Sequence, residues 1–480
     1  MFKLYNTLTK KKEVFKSIHP GKVGIYTCGP TVYDYVHMGN IRAYFSVDIL
    51  KRYLEYLGYE VRQIKNITDV GHLTQDDIAQ GDSGEDKITQ KALAEKKTPQ
   101  EITEFYEDYF HNTEKKLNIL PANYFPRATA HIPQMIKIIS SLIKKGYAYE
   151  KNGNVFYDVT KFKNYGKLSG NTLSKLKVGA RLEKHPDKLH PWDFALWLVA
   201  PKEHLMKFKS PWSIGYPGWH IECSAMSMEY LGDTLDIHTG GEDNIFPHHE
   251  AEIAQSESYT GKAFSNYWMH TRYLLVDGEK MSKSKENFYK IEDILKKGFA
   301  PMDLRLLYLS SHYRSQLNFT WKSLEQAKIN QTKIIGWLNE LNKISKKNGQ
   351  LSNKKFAIEK YQKLFENAMN DDLNTPLALS VLYKLITETN KLMAGNNLDS
   401  KNARLILNFW GKINKVFGLT VKKEEKIPKK ILELAQKRKE AKINKDFEKS
   451  DEFRIKIEEK GYNIRDLKDN NYIIKKSLKH

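Results

Sequence analysis

The stretch KVGIYTCGPTVYDYVHMGN, residues 22–40, decides the predicted fold of the chain. Its first seven residues are mostly apolar and indicate a short buried strand. A helix with one apolar face is predicted next, and Gly58 ends it. The apolar residues of that face are spaced four, three, four and three apart: Ala43, Val47, Leu50, Leu54 and Leu57. Residues 60–64, EVRQI, indicate a second strand, so the unit is strand, helix, strand.

This crossover unit predicts an α/β fold built on a doubly wound, Rossmann-like parallel sheet. Ligands of such sheets bind beyond the carboxyl ends of the strands, where residues 28–40 are expected to lie. Gly39 allows close backbone approach to a ligand, and the start of the helix attracts phosphate. His37 and Asn40 are then candidates to donate hydrogen bonds to a phosphate in transfer. Read alone, the motif has little specificity, because a histidine beside a turn is more often simply capped or solvated.

Size and charge narrow the class of protein. A chain of 480 residues is expected to hold two to four domains. Its 78 basic and 58 acidic side chains give a formal charge of +20, which favours a polyanionic partner, although a general lysine bias gives the same balance. Two cysteines exclude a disulfide framework. The sequence has no apolar run of about 20 residues and no apolar N-terminal leader, so we expect a cytoplasmic protein without membrane contact.

Changes of pattern divide the chain into six predicted segments. Residues 131–145 have the apolar spacing of another helix, and VFYDV at 155–159 is strand-like. Together they indicate an insertion in the sheet domain. The sheet resumes at LDIHTGGED, residues 235–243, and helices dominate after about residue 322. The predicted boundaries are 1–115 and 216–265 for the two halves of the sheet domain, 116–215 for a connective insertion, 266–321 for the loop region that follows, 322–425 for a helical bundle and 426–480 for a small C-terminal domain.

A second motif, EKMSKSKEN at residues 279–287, places Lys280 and Lys283 three residues apart among hydroxyl side chains. Two ammonium groups so spaced can stabilise a leaving pyrophosphate electrostatically. In a lysine-rich chain, a solvated surface loop is the competing interpretation. The five residues KMSKS, following HMGN by about 240 residues, are similar to the paired signatures of class I aminoacyl-tRNA synthetases.

Within that class the chain resembles cysteinyl-tRNA synthetases. The similar stretches are CGPTVYD, NITDVGH, PRATAHIPQMI, GWHIECSAMS, GGEDNIFPHHEAEIAQSE, SHYRSQLNFT and FENAMNDDLNTPLALS. They follow the family's order between residues 26 and 380, and the remaining tail is similar mainly in its pattern. Two positions depart from the family: Asn40 replaces the usual His, and Lys285-Glu286 replaces the Leu-Gly that follows KMSKS.

A metal site is indicated by residues far apart in sequence. His248 and Glu252 are i and i+4 on a predicted helix and therefore point the same way. With the thiols of Cys28 and Cys223 they supply a tetrahedral zinc set, and the resemblance implies these same four ligands. His249 and Glu250 fall on other helix faces and are predicted to be poorer ligands. Two free buried cysteines, or a closed structural zinc site, are the alternatives.

The resemblance implies further contacts with substrates. Thr68 and Trp219 are expected to lie against the amino acid. The turn of Gly240, Gly241 and Asp243 is expected to lie against adenine and to hold a ribose hydroxyl, although a plain strand-to-helix turn explains these residues as well.

The implied function is activation of L-cysteine with ATP and Mg²⁺, with transfer of the amino acid to tRNA(Cys). The implied cofactor is one Zn²⁺ per chain, which selects a thiolate over the hydroxyl of serine. We expect a monomer. One alternative is a cysteine ligase with an amino-sugar acceptor, but such enzymes resemble only the catalytic part. The other is an inactive RNA-binding paralogue, in which eroded KMSKS lysines or zinc ligands would be expected.

Overall fold

The structure is a computed structural model that describes residues 1–75, 83–173, 185–281, 287–347, 356–420, 428–444, 446–466 and 472–476. The chain divides into two compact units, Met1–Leu419 and Thr420–His480. In the described ranges, no helix is both long and apolar enough to cross a membrane.

The described strands, in chain order, are β1 (Lys3–Asn6), β2 (Lys11–Val14), β3 (Lys22–Thr27), β4 (Glu60–Lys65), β5 (Leu73–Gln75), β6 (Ser83–Asp86), β7 (Ala148–Lys151), β8 (Asn154–Tyr157), β9 (Phe194–Val199), β10 (Phe208–Lys209), β11 (Ile214–Pro217), β12 (Leu235–Gly241), β13 (Ser265–Thr271), β14 (Leu274–Val276), β15 (Glu279–Lys280), β16 (Leu317–Phe319), β17 (Tyr462–Asp466) and β18 (Tyr472–Lys476). The described α-helices are α1 (Met38–Tyr56), α2 (Lys87–Glu95), α3 (Pro99–Lys116), α4 (Ile132–Lys144), α5 (Trp219–Leu231), α6 (His248–Thr260), α7 (Ile291–Lys296), α8 (Pro301–Leu309), α9 (Trp321–Ser345), α10 (Ile358–Asn370), α11 (Thr375–Ala394), α12 (Ser400–Phe417), α13 (Lys429–Ile443) and α14 (Phe447–Glu459).

A parallel sheet of four strands, in the order β13-β12-β3-β4, forms the centre of the first unit. In register, Ile25 of β3 lies between Ile237 of β12 and Gln63 of β4. Helix α1 crosses from β3 to β4, and its residues Leu50 and Leu54 are fully buried. The predicted strand, helix, strand unit is therefore confirmed, and the carboxyl ends of β3 and β12 lie side by side.

An antiparallel sheet interrupts the parallel one between α4 and α5. Its strands run in the order β10-β11-β9-β8-β7, and Trp197 of β9 is completely buried. Helix α4 presents an apolar face that includes Met135, Ile139 and Leu142, all buried. This sheet belongs to the same apolar core as Cys28 and Cys223, so it supports one side of the candidate site.

Helices follow the parallel sheet in the first unit, and a buried ionic cluster joins them to α1. Arg305 of α8 donates to Asp48 of α1 at 2.6 Å and to the carbonyl of Phe417, at the end of α12, at 2.7 Å. Gly418 has φ +63°, and a Cβ there would lie 2.4 Å from the Arg305 guanidinium. Position 418 therefore requires glycine. The helix that carries the phosphate motif is thus anchored to the helical region.

The second unit contains α13, α14 and the antiparallel hairpin β17-β18 in its described part. Ile431, Ala435, Ile457 and Ile464 form its small apolar core. The predicted fold class is confirmed: a Rossmann-like parallel sheet with an insertion, a helical region and a small C-terminal unit. The six segment boundaries given above stay a proposal.

Candidate active site and metal centre

A cavity of about 380 Å³ opens at the carboxyl ends of β3 and β12 and reaches the N-terminus of α1. Its wall contains, among others, Cys28, Gly29, Thr31, Tyr33, His37, Gly39, Asn40, Tyr44, His72, Trp219, Gly240, Gly241, Asp243, Tyr273, Lys280, Met281 and Phe288. One cavity therefore brings together most of the residues that the sequence predicts for amino-acid binding, phosphate chemistry and nucleotide binding, with Thr68 not among its lining.

The four predicted metal ligands meet at the Cys28 end of this region. Cys28, Cys223, His248 and Glu252 are all buried, and their ligand atoms lie within 4.8 Å of one another. The Sγ atoms of the two cysteines are 3.9 Å apart, and the Glu252 Oε1 atom is 3.7 Å from Cys28 Sγ. His248 Nε2 is 3.1 Å from the same carboxylate oxygen. Four donor atoms from three separate segments of the chain thus converge on one point.

The dimensions of this cluster fit a metal ion. Bonds of about 2.3 Å to sulfur and about 2.0 Å to nitrogen or oxygen give tetrahedral edges of roughly 3.8 Å between two sulfurs and roughly 3.3 Å between nitrogen and oxygen. The buried His248 Nε2 atom has no hydrogen-bond partner in the described part of the chain, while its Nδ1 atom contacts His220 Nδ1 at 2.9 Å. The Nδ1 atom is thus fixed by His220 outside the donor set, and Nε2 faces the cluster. Metal-binding histidines typically have this arrangement, with one ring nitrogen on the metal and the other on a neighbouring group.

His249 corrects one sequence-based expectation. It was predicted to lie on another face of the helix and to be a poorer ligand, yet its Nε2 atom lies 3.2 Å from Cys28 Sγ. A second possible donor set, Cys28, His238, His249 and Glu252, therefore overlaps the first. The direction of His249 was missed because two consecutive side chains in the first turn of α6 both reach the cluster; its lower rank as a ligand stays a prediction. Glu250 instead accepts backbone N–H groups of residues 166, 168 and 169.

Burial sets the ionisation of the cluster. It raises the pKa of the Cys28 thiol well above its ordinary value, with Cys223 and Glu252 adding to the effect. Burial also raises the pKa of Cys223 and lowers the pKa of His248 well below that of a free imidazole. Without a metal the thiols are neutral and the imidazole is uncharged. A metal ion bound here would displace the thiol protons, and the neutral imidazole would offer it a free lone pair.

The predicted phosphate motif forms the N-terminal cap of α1. His37 Nδ1 accepts from the Gly39 N–H at 3.0 Å, and Asn40 Oδ1 accepts from the His37 N–H at 3.3 Å. Because Nδ1 is the acceptor, a neutral His37 carries its proton on Nε2. A Cβ at Gly39 would lie 2.7 Å from the Met281 methyl group and 2.8 Å from the His37 ring, so any larger residue would displace these side chains. Asn40 therefore holds the cap with its oxygen and keeps its N–H₂ group as donor.

Of the two signature lysines, Lys280 is described and lies on the cavity wall. Its Nζ atom is 4.5 Å from the centre of the Tyr273 ring. Phe288, which follows the signature, packs edge-on against the His37 ring at 4.6 Å, and the Met38 N–H donates to the Tyr289 carbonyl at 3.0 Å. The two signature segments thus touch each other. Lys283 falls in residues 282–286, outside the described residues.

Comparison with known proteins agrees with this arrangement. Residues 14–329 match the family model described as "tRNA synthetases class I (C) catalytic domain", and residues 364–422 match that of the "DALR domain". The chain is 42% identical to the cysteine–tRNA ligase of Chlorobaculum tepidum over 97% of each chain. It is also 42% identical to a cysteine–tRNA ligase of Thermus thermophilus, over 97% of this chain and 98% of that one.

The chain belongs to the cysteine–tRNA ligase family of class I aminoacyl-tRNA synthetases. Solved structures of other synthetases share its fold. Methionyl-tRNA synthetase of Mycobacterium tuberculosis in complex with methionyl-adenylate superposes with a TM-score of 0.57 at 13% identity, covering 82% of this chain and 89% of that one. An Agrobacterium radiobacter LeuRS in a ternary complex gives a TM-score of 0.58 at 10% identity, covering 84% and 85%.

In this cysteine–tRNA ligase family member, Trp219 stands between two imidazoles. Its indole stacks on His72 with ring centres 4.4 Å apart and on His248 at 4.2 Å. Thr68 lies deeper: its hydroxyl donates to Glu222 Oε2 at 2.9 Å, and it is not among the described residues that line the cavity. Contact of Trp219 and Thr68 with the amino acid stays a prediction.

The turn after β12 also lines the cavity, through Gly240, Gly241 and Asp243. A Cβ at Gly240 would come within 2.7 Å of the His249 ring, and one at Gly241 within 2.2 Å of the Asp243 carboxylate. Both glycines therefore leave room for side chains that face the site. Adenine and ribose binding by this turn stays a prediction.

Two residues of the site were not singled out from the sequence. His72 lies on the cavity wall and contacts Trp219. Arg42, almost fully buried in α1, donates to the carbonyls of Arg272 and Tyr273 at 2.6 and 3.0 Å and so fixes the segment that leads to Lys280. Their partners are distant in sequence, and the only local signal was their position beside recognised motifs.

Proposed function

We propose that the chain activates L-cysteine with ATP and transfers the cysteinyl group to the terminal ribose of tRNA(Cys). One observation carries the proposal: Cys28 of the metal cluster, Trp219, His37, Asn40 and Lys280 line a single cavity. A cavity with a thiol-selecting cluster at one end and phosphate-binding groups at the other fits cysteine joined to adenylate. The names of the curated relatives support the same substrate.

In the proposed reaction, a carboxylate oxygen of cysteine attacks the α-phosphorus of ATP and the bond to pyrophosphate breaks. The His37 Nε2–H, the Asn40 amide and the N-terminus of α1 are the donors available to the developing phosphoryl charge. Lys280, with Lys283 as its proposed partner, would stabilise the leaving pyrophosphate. Positioning and electrostatics then supply the rate enhancement, and no side-chain nucleophile is required.

Cys28, Cys223, His248 and Glu252 are the proposed ligands of one zinc ion per chain. Bound zinc would supply a preference for a thiolate over a neutral hydroxyl, and hence for cysteine over serine. Mg²⁺ would enter with ATP. Two thiols and one imidazole are ligands that bind zinc in preference to the harder cations Mg²⁺ and Ca²⁺.

The acceptor is proposed to be tRNA rather than an amino sugar. The match to the DALR domain and the basic C-terminal unit lie outside the catalytic part, and a small acceptor gives them no role. The last 60 residues hold 19 basic and 12 acidic side chains, which favours contact with a polyanion. We propose that the protein acts as a monomer in the cytoplasm, where tRNA is charged.

An exchange assay tests the proposal. Radioactive pyrophosphate should enter ATP when L-cysteine is added, and serine or alanine at the same concentration should give less than about one hundredth of that rate. Transfer to tRNA(Cys) and to glucosamine-type acceptors should then be compared with the same enzyme. Exchange with cysteine but transfer only to the sugar would replace the proposed acceptor. Absence of cysteine-dependent exchange in metal-loaded protein would refute the function itself.

A further inference from the structure

His72 reaches the cavity because the chain turns sharply beside it. Gly71 has φ +76°, and a Cβ there would lie 2.4 Å from the Pro217 carbonyl, so this turn requires glycine. The Gly71 N–H donates to Asp86 Oδ2 at 3.0 Å, which fixes the turn against the start of α2. The imidazole of His72 is thereby directed at the cavity wall between Thr31 and Trp219.

Both ring nitrogens of His72 are engaged. Lys87 Nζ lies 2.6 Å from Nε2, and the Thr31 hydroxyl lies 2.6 Å from Nδ1. An ammonium group only donates, so Nε2 must be the acceptor and the ring proton must be on Nδ1. Burial lowers the pKa of His72 well below that of a free imidazole, and Lys87 and His220 lower it further, so the ring is neutral. Its Nδ1–H therefore donates to Thr31.

This arrangement determines what the Thr31 hydroxyl can offer a substrate. One lone pair of Oγ1 receives the His72 proton, and in the described part of the chain His72 is the only hydrogen-bond partner of this hydroxyl. No described residue accepts its own hydrogen, and Thr31 lines the cavity, so this hydrogen is available to a ligand there. The neighbouring Thr68 differs, because its hydroxyl hydrogen is already donated to Glu222. Thr31 is thus a donor in the wall, three residues from Cys28 and six from His37.

We propose that His72, oriented by Lys87, positions the Thr31 hydroxyl to donate a hydrogen bond to the carboxyl group of the substrate cysteine. The inference rests on the proposed function, since it takes cysteine as the substrate. The carboxyl group lies between the thiol and the α-phosphate, and when ionised it only accepts hydrogen bonds; the thiolate also only accepts, but it is assigned to the metal cluster. The ammonium group only donates, so it cannot receive this hydrogen. His72 is a positioning residue, because it acts through Thr31.

Stacking on Trp219 is the competing role for His72, and a pair of variants separates the two. His72→Phe keeps an aromatic face for the indole but removes both ring nitrogens. Thr31→Val keeps the shape of threonine without its hydroxyl. Metal content should be measured in each variant, to show that the cluster remains occupied.

Ligand truncation then identifies the group that is recognised. Dissociation constants should be measured with the metal-loaded protein for cysteine, for 3-mercaptopropionate, which lacks the amino group, and for cysteamine, which lacks the carboxyl group. Each variant should weaken cysteine and 3-mercaptopropionate roughly ten- to hundredfold, as expected for a hydrogen bond to a charged group. Affinity for cysteamine should change by less than about twofold. The double variant should lose no more than Thr31→Val alone, because both act through one hydrogen bond.

A conservative variant and a matched control complete the test. His72→Gln should restore part of the preference for ligands with a carboxyl group, since its amide can accept from Lys87 and donate to Thr31. Lys87→Met should reduce that preference. Lys91→Met, one turn along α2 and paired with Glu95 at 3.0 Å, should leave it unchanged.

Three results would overturn the inference. An equal loss for all three ligands would show that His72 only maintains the shape of the pocket, and a loss confined to cysteamine would assign the contact to the amino group. Unchanged affinities in His72→Phe would remove His72 from recognition. These outcomes differ from failure of the proposed function, in which the unsubstituted protein itself would show no cysteine-dependent exchange.

Discussion

Replacement of single histidines in the metal cluster tests which of the two overlapping donor sets holds the ion. Cys28 and Glu252 belong to both sets, whereas Cys223 and His248 belong to one and His238 and His249 to the other. The geometry favours the first set, because His248 Nε2 has no hydrogen-bond partner in the described part of the chain, whereas His238 Nε2 is hydrogen-bonded to Glu252 Oε2 at 2.8 Å. In the first set, His238 orients the carboxylate and does not bind the metal.

The expected losses follow from these two roles. Zinc in small four-ligand sites contributes about 10–16 kcal/mol, or roughly 3 kcal/mol for each ligand, so His248→Ala should weaken metal binding by roughly two to three orders of magnitude. Loss of an orienting partner costs about 10- to 100-fold, which is the range expected for His238→Ala. His249→Ala should have the smallest effect of the three. Affinity should also rise with pH, because burial raises the pKa of both thiols and their protons compete with the metal.

Competition with a chromophoric chelator gives these affinities, and cobalt substitution gives a second readout. Two thiolates bind in the first set and one in the second, so Cys223→Ser should halve the thiolate-to-cobalt absorption. Thermal unfolding of each metal-free variant serves as the control for folding. If Cys223→Ser kept full affinity and His249→Ala lost it, the ligand assignment would be wrong.

Three further predictions concern the rest of the site and the C-terminal unit. Lys280→Ala should lower kcat for exchange roughly a hundredfold with little change in the KM for cysteine. The control Lys262→Ala, which removes a surface pair with Asp233, should leave kcat and KM unchanged. A change in KM alone would mean that Lys280 contributes to substrate binding and not to the transition state. Asn40→His should change the exchange rate by less than about tenfold, since a ring nitrogen can still cap the His37 N–H; complete loss would show that the cap had rearranged. Deletion of residues 420–480 should leave exchange within about twofold but reduce kcat/KM for tRNA charging and flatten its salt dependence, and equal salt slopes would refute a tRNA contact by this unit.

Local patterns predicted the parts of the fold that local physics determines. The helical spacing correctly predicted that Leu50 and Leu54 are buried, whereas Leu57 of the same predicted face lies just beyond α1 and is 37% exposed. The apolar stretches on either side of the helix predicted the two parallel strands. The i, i+4 relation of His248 and Glu252 predicted their common direction, which the 3.1 Å contact confirms. Such features depend on helical and strand periods that are visible within a few residues.

Long-range packing determined what the sequence could not predict. The direction of the His249 side chain was not predicted, because it depends on where α6 begins relative to β3. Helical periodicity does not contain that information. The contact of His72 with Trp219 joins residues 147 positions apart through the turn at Gly71. In the sequence, Arg305 is one charged residue in an otherwise apolar helix. Its hydrogen bonds to Asp48 and to the end of α12 depend on the tertiary fold, so no local pattern predicted them.

One cavity is proposed to bind the thiol of cysteine at the Cys28 cluster and to activate its carboxyl group at the start of α1. The decisive experiment is pyrophosphate exchange by the metal-loaded protein with each of the 20 amino acids. We expect exchange with cysteine, at least about a hundredfold less with serine, and loss of cysteine-dependent exchange on chelation of the metal. Equal exchange with cysteine and serine, or exchange that persists after the metal is removed, would contradict this proposal.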